Sequence, residues 1–354
     1  MRTTLRRPAE QPARLRLSVA LIGGAVALLA AALVGVVVGS VALSPHDVWS
    51  VLAAHLFGGR RPDVVADEII WQIRLPRVLL AMIVGAALTT AGTVVQALVR
   101  NALADPFLLG VSSGASVGAT AVLLFGVFAS LGLWALSVSS IAGALLAMVL
   151  VFAVARESGQ LTPTRLVLCG VALAAMFEAV ASFLLFRGNP QATDAVLFWL
   201  LGSFGRAAWS QLWFPATTLT LAVVYLVFQA RQLNALAVGA ETATALGVDV
   251  GRLRRNLFFI TSVVAGVAVA VSGVIGFVGL VVPHIVRLGV GSDHRKTLPV
   301  GLLWGATFMV LGDIVARTIV APQEMPIGVI TAFIGAPVFI ILLRRGSYRY
   351  GTAA

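Results

Sequence analysis

Two carboxylates stand where carboxylates are costly. Glu178 and Asp313 each fall inside a long apolar run, and an ionised side chain at the middle of a membrane helix costs about 2.5–3.5 kcal/mol on the insertion scale. Such residues face a partner charge or an aqueous path, so the chemistry to consider is charge pairing, proton handling or passage of a polar solute. Asp313 precedes Arg317 by four residues, the acid-first spacing that favours an ion pair on one helix face. A structural pair and a functional acid both fit that spacing. Glu178 has Ala174, Ala175, Ala181 and Ser182 as its helical neighbours, none of them basic, which points to a pathway-facing position or a contact with another helix. Bond-making chemistry has little support. Nothing matches GxxxxGK[ST], and the one lysine, Lys296, follows Arg295, so the chain has no usual cradle for nucleotide phosphates. HExxH and GxSxG are absent as well. His46, His55, His284 and His294 are scattered, and no catalytic or metal-ligating set is expected. His284 follows Pro283 and reads as a packing residue at a helix kink. The single cysteine, Cys169, excludes an internal disulfide and a multi-cysteine metal site.

The elements that must carry these acids are membrane helices. Of 354 residues, 59% are hydrophobic and 11% charged, against about a quarter charged in soluble domains. Apolar spans fall near 17–43, 78–99, 108–128, 133–155, 166–186, 212–230, 257–276, 279–291, 298–319 and 327–343. The eighth is short: about a dozen residues reach roughly 18 Å, against a hydrocarbon core of roughly 30 Å. The basic N-terminus MRTTLRRPAEQPARLRLSVALIGG precedes an apolar run far longer than the roughly 7–15 residues of a signal-peptide core, and reads as an uncleaved first membrane helix.

The positive-inside rule orients the spans. With ten spans and both termini cytoplasmic, the inside holds eighteen basic residues and the outside seven; merging spans seven and eight gives thirteen against twelve. Ten spans therefore form the better topology. Two sets of five imply an inverted repeat, a common transporter device. The net charge of +11 comes from residues placed between apolar spans, not on one face beside stacking aromatics, and no nucleic-acid partner is expected.

Three blocks of sequence are distinctive. From Arg74 runs RLPRVLLAMIVGAALTTAGTVVQALVRNALADPFLLGVSSGASVGA, with Gly85, Gly92 and a buried-looking Gln96 before a polar turn; GVIGFVGLVVPHIVRLGVGSDHRKTLPVG spans 273–301; GDIVARTIVAPQEMPIGVITAFIGAPVFIILLRR spans 312–345. Together they resemble the membrane-spanning permease subunits of ABC importers for iron-siderophores, haem and cobalamin, the FecCD type, over about Leu17 to Arg345. The resemblance implies an all-α integral membrane protein of the type II importer architecture with two inverted five-helix halves. A single permease domain would span 17–345 between cytoplasmic tails at 1–16 and 346–354. Implied partners are two ATPase subunits, which bind the ATP and Mg, a second permease copy or paralogue, an external substrate-binding protein, a metal-chelate and membrane lipid. The implied site is the bacterial cytoplasmic (inner) membrane, with no cofactor in this chain and no reaction performed by it. An iron-siderophore is the first expected cargo, with haem or cobalamin behind. The rivals are a gradient-driven secondary transporter using Glu178 or Asp313 as its proton site, and a membrane scaffold.

Site residues follow in part from the resemblance. Within the coupling loop, about 229–256, Glu241 to Gly247 predicts a short helix with an acidic start and a glycine stop; by itself it fits an interfacial turn. The resemblance makes Glu241, Ala243, Leu246, Gly247 and Val248 the element that docks in the ATPase. Arg74, Arg77 and Arg317 suit headgroup anchoring, and the IRLPR and DIVAR matches imply that they meet acids of the binding protein. The cytoplasmic gate is implied at Asn101-Ala102-Leu103 and Thr162-Pro163-Thr164, with Asn101, Leu103, Pro163 and Thr164 as its residues. Ala102 stands where family members commonly have proline, and Pro163 where a small hydroxyl residue is common. Glu178 is the expected pathway residue.

Overall fold

The structure is a computed structural model that describes residues 10–39, 41, 43–58, 63–157 and 160–344. Arg2, Arg6, Arg7, Arg60, Arg61, Arg345, Arg349 and the expected C-terminal tail lie outside the described residues.

The chain begins with α1 (Glu10–Val37) and α2 (Pro45–Phe57), the latter opened by a reciprocal capping box between Ser44 and Asp47. Next, α3 (Val64–Asp67) continues through a π-helical turn, Glu68–Arg74, into α4 (Leu75–Leu98). After a 3-10 turn at Pro106–Leu109 come α5 (Val111–Phe125), a second 3-10 segment (Ala129–Trp134) and α6 (Ala135–Ala155). A pair of two-residue antiparallel strands, Arg156–Glu157 and Gln160–Leu161, leads into α7 (Pro163–Arg187) and α8 (Pro190–Leu200). The remainder is α9 (Trp209–Val238), α10 (Ala240–Ala245), α11 (Val250–Ser272), α12 (Val278–Val290), α13 (His294–Thr318) and α14 (Ile327–Arg344).

Among the described residues, seven helices are long and apolar enough to cross a membrane, and three shorter apolar helices lie at Val111–Phe125, Val278–Val290 and Ile327–Leu342. These ten coincide with the ten spans expected from sequence. The short eighth span is its own helix, α12, of 13 residues. Gly273 (φ +71°) ends α11 and Phe277 (φ +67°) starts α12, so the connector between them is irregular backbone within the bundle. Such backbone survives there only if its polar groups are satisfied by protein. Gly273 N–H donates to the Val269 carbonyl at 2.7 Å, the Gly273 carbonyl accepts from Ser272 Oγ at 3.2 Å, and the Phe277 carbonyl accepts the Leu280 and Val281 N–H groups at 3.2 and 2.8 Å.

The helix that organises the bundle is α4. It packs against α9, α11, α12 and α13, and almost every residue from Pro76 to Leu98 is buried. Its first half, Val78 to Ala91, supplies one apolar cluster with α1, α12 and α13. Val94 to Leu98 supply a second cluster with α5, α6 and α11. Lipid gives no hydrophobic force between helices, so close backbone approach has to hold them. A Cβ on Gly92 would lie 1.8 Å from the Gly279 carbonyl oxygen, and one on Gly85 2.3 Å from that of Gly305. Gln96, fully buried, donates to the Gly279 carbonyl at 3.2 Å and accepts from Arg287. Conversely, α1 and α9 turn large apolar side chains such as Leu29 and Phe228 outward, as a lipid-facing surface requires.

Gly92→Leu should therefore lower thermal stability in detergent severely, with a cost on the order of 3 kcal/mol or more. Gly23→Ala, where an added Cβ meets nothing within 4 Å, should leave the melting temperature nearly unchanged. Fluorescence-detected size-exclusion after heating distinguishes the two.

Candidate functional site

The candidate site residues fall at the two ends of the bundle and at a cavity between them. At one end, α1, α4 and α13 converge and three arginines meet two acids. Arg77 donates from Nε and Nη2 to Asp313 at 2.9–3.1 Å, and from Nη1 to Glu324 at 2.7 and 3.0 Å. Arg317 reaches the same Asp313 carboxylate at 3.1 Å, one turn back on its own helix. It also donates to the Gly35 and Val38 carbonyls at 3.0 and 3.2 Å. Arg74 donates to the Val36 carbonyl at 2.9 Å and to those of Val37 and Val41. The last carbonyls of a helix have no partner within it, and cationic side chains near that end satisfy them. Two of these arginines thus cap α1.

This placement differs from the surface arginines that the sequence suggested. Arg74, Arg77 and Arg317 are all buried. Their guanidinium groups are drawn inward by the α1 carbonyls and by Asp313, which would otherwise be an unpaired buried charge. The i,i+4 pair of Asp313 and Arg317 is present, but Arg77, 236 residues away in sequence, completes it. Glu324 was not singled out from sequence. Its signal was available, as an acid in the short polar break between two apolar spans, and its side chain is 43% exposed.

At the opposite end stands α10. Ala243 is fully buried against α9 and α11, while Glu241 and Leu246 are exposed, Leu246 to 70%. Gly247 (φ +82°) terminates the helix, the Val248 N–H returning to the Ala243 carbonyl at 3.0 Å. This is a Schellman stop, which needs a left-handed residue at the glycine position. Asp249 then caps α11 by accepting the Arg252 N–H at 2.9 Å. The expected gate turns are at this end too. The Asn101 side chain accepts the Leu103 N–H at 2.9 Å, Arg100 reaches the Val238 carbonyl at 3.3 Å, and Pro163 occupies the first turn of α7 with Thr164 exposed. Arg254 on α11 donates to the Leu161 carbonyl at 3.2 Å, just before α7. Between the turns, the Pro106–Gly110 segment lies directly on α7, where a Cβ at Gly170 would be 2.0 Å from the Leu108 carbonyl oxygen.

A clamp joins this end to the α12–α13 turn. Asn234 on α9 donates to Asp293 at 2.7 Å and accepts the His294 N–H at 2.9 Å. Burial opposes ionisation of Asp293, but hydrogen bonds from Arg295 and Asn234 prevail and hold its carboxyl at about 2.

Glu178 lies midway along α7 and is exposed, flanked on that helix by exposed Val171, Met176, Val180 and Phe183. It opens onto a cavity of about 540 Å³ whose walls include Asp105, Phe107, Ser112, Ser113 and Phe277. Ser113 Oγ is 3.5 Å from its carboxylate. Asp105, in the turn before α5, caps the 3-10 segment by accepting the Phe107 N–H at 2.9 Å. Burial pushes its carboxyl up to about 6, the Phe107 N–H pulling in the other direction. No group of three or more His, Cys, Asp or Glu that could hold a metal is present among the described residues.

A bundle of about ten membrane helices, with a carboxylate facing a mid-depth cavity and a short capped helix standing out at one end, is that of a multi-pass transport subunit. The sequence model of the FecCD transport family matches residues 27–345, and the chain belongs to that family. It is 43% identical over 286 residues to the hemin transport system permease protein HmuU of Yersinia pestis, covering 80% of this chain and 85% of that one. It is 41% identical over 318 residues to the vitamin B12 import system permease protein BtuC of Escherichia coli, covering 90% and 92%. A solved chain described as an inward-facing metal-chelate type ABC transporter superposes with a TM-score of 0.81 at 34% identity, covering 92% of this chain and 98% of its own. The first two relatives are named as permease proteins, and the chain, as a member of the FecCD transport family, is a multi-pass permease-type transport subunit.

Two outcomes test the site geometry. Arg77→Leu should cost about 3–5 kcal/mol of stability by leaving Asp313 partly unpaired, whereas Glu324→Gln, at a half-exposed position, should cost under about 1 kcal/mol; thermal unfolding in detergent reads both. For Asp105, a carboxyl that titrates at about 6 when folded and near 3.8 when unfolded stabilises below about pH 4, and that contribution is lost as the pH rises through 6. Asp105→Asn should flatten this part of the stability profile between pH 4 and 6.5.

Proposed function

We propose that the chain is the permease of an ATP-driven importer in a bacterial inner membrane, with α10 facing the cytoplasm and docking in the cleft of a separate ATPase. The observation that carries this reading is α10 itself: a six-residue, glycine-capped helix, buried at Ala243 and exposed at Glu241, Thr242, Thr244 and Ala245, presents a free face suited to a partner protein. Leu246 and Glu241 offer one apolar and one acidic contact, while Ala243 fixes the helix to its base. The orientation agrees with charge, since Arg100, Arg156, Arg165, Arg231, Arg252, Arg254, Arg255 and Arg295 belong to segments on the α10 side.

Cargo would pass along the exposed face of α7, which a second permease copy or paralogue would close. An exposed carboxylate at that depth is costly beside lipid and tolerable in an aqueous path, which favours Glu178 as a pathway residue. Below it, the turns holding Asn101, Leu103, Pro163 and Thr164 would form the gate. Two ATPase subunits would bind ATP and Mg and drive the stroke. An external binding protein would dock at the opposite end. Because Arg77 and Arg317 are buried, docking would run through Glu324: a partner carboxylate would replace it on Arg77, while Arg74 and Arg317 hold the platform in place. The gradient-driven alternative is weakened by Asp313, whose carboxylate is engaged by two guanidinium groups.

An iron-siderophore is the proposed cargo on the sequence blocks; the names of the relatives favour haem and cobalamin as alternatives. Uptake of labelled ferric-siderophore into proteoliposomes, challenged in turn with hemin and cobalamin, separates the three. Full competition by hemin or cobalamin with none by other ferric-siderophores would reassign it.

The purified chain should hydrolyse no ATP, and should form a complex with two nucleotide-binding subunits when co-expressed with its ATPase. Gly247→Pro or Glu241→Arg should abolish transport and weaken that complex without loss from the membrane. Transport at wild-type rate in both variants would remove α10 from coupling.

A further inference from the structure

The 30 residues of α9 extend about 45 Å at roughly 1.5 Å each, some 15 Å more than the hydrocarbon core. If Trp209 marks one interface, about 20 residues carry the helix across, and Gln229 to Gln232 arrive at the opposite headgroup layer. Tyr225, one turn earlier, is of the type enriched at that depth. At this level a cavity of about 570 Å³ opens between α9, the Leu246–Asp249 turn and the start of α11.

The wall of this cavity is chemically specific. Arg231 and Arg252 contribute two cations, and Gln229, Gln232 and Asn256 contribute amides. The one acid, Asp249, is already engaged: it caps α11 and lies 3.6 Å from Arg252. Arg231 has no ion pair among the described residues, which leaves the cavity with a net positive charge. Gln229 Oε1 is buried and accepts no hydrogen bond among the described residues. A buried acceptor without a donor is unfavourable, so an occupant should bring an O–H or N–H group as well as negative charge. Leading away from the cavity along the same helix face are Leu221, Val224 and Phe228, all exposed and apolar, at the three- and four-residue spacing that aligns side chains on one stripe.

We infer that this cavity binds the headgroup of an anionic glycerophospholipid that carries hydroxyl donors, of the phosphatidylglycerol type. The phosphate diester would lie between Arg231 and Arg252, a glycerol hydroxyl would donate to Gln229 Oε1, and the acyl chains would follow the Leu221–Val224–Phe228 stripe. Its position has a consequence for α10, because Leu246, Gly247 and Val248 form one wall. A bound lipid would brace the Leu246–Val248 turn on its cavity side and leave Glu241, which does not line the cavity, to the ATPase. A soluble phosphodiester shares the headgroup chemistry and differs in lacking the apolar tail.

The test uses the full chain in phosphatidylcholine nanodiscs doped with a second lipid, read by native mass spectrometry of retained lipid. Wild type should retain phosphatidylglycerol over phosphatidylcholine roughly tenfold or more, as expected for two cations near a headgroup. R231Q/R252Q should bring that ratio near one, with an unchanged melting temperature in pure phosphatidylcholine as the folding control. Gln229→Leu should keep the preference over phosphatidylcholine but lose the preference for phosphatidylglycerol over phosphatidylmethanol, an anionic diester without hydroxyl donors. Equal retention in wild type and R231Q/R252Q overturns the proposal. So does displacement of the lipid by glycerophosphoglycerol at matched concentration, which would assign the cavity to a soluble phosphodiester.

Discussion

Everything in this molecule depends on how closely α4 can be approached. Inside a bilayer the apolar side chains of one helix gain little by meeting those of another, so helices are held by van der Waals contact at short range and by the few polar groups that find each other. Glycine is what allows the short range. Where α4 crosses α12 and α13 the backbones touch, and Gln96 reaches the α12 carbonyls directly. This crossing fixes the height of α12, whose preceding connector reaches the loop cluster at the Arg77 end. It also fixes Asp105 and Phe107 relative to Phe277, and so the shape of the cavity that Glu178 faces.

The fold was legible because membrane length is a coarse and robust signal. All ten spans are visible as apolar runs, and charge asymmetry alone separated the seventh from the eighth. Gly247 was readable as a helix stop because a short exposed helix depends on local chemistry, and the Schellman bond from Val248 to Ala243 is local. The burial of the three arginines was illegible for the opposite reason. Arg77 is paired with residues 236 and 247 positions away, and Arg74 is paired with backbone carbonyls, which have no sequence signature. The i,i+4 rule found Asp313 and Arg317 but could not see that a third group shares the same carboxylate.

Asp313 changes how the Arg77 end should be understood. With two guanidinium groups on one buried carboxylate, removing either arginine disturbs folding before it disturbs any contact with a partner. Glu324 is the solvent-facing member of the cluster, its side chain 43% exposed. In the proposed docking, rigid elements underneath and one half-exposed acid on top would let the surface exchange its charge without moving a helix.

The π-helical turn between α3 and α4 is in effect one surplus residue, with the Leu75 N–H reaching five residues back to the Ile70 carbonyl. Each residue of an α-helix advances it by about 100°, so the surplus resets the angular phase of everything before Leu75 relative to everything after. Upstream of the reset, Trp71 stacks on His55 at 3.8 Å and its carbonyl accepts the Trp209 indole N–H at 2.8 Å. Downstream, Arg77 faces α13. α2 and α3 on one side and the glycine face of α4 on the other therefore take their angular positions separately, because one turn of relaxed winding uncouples their azimuths.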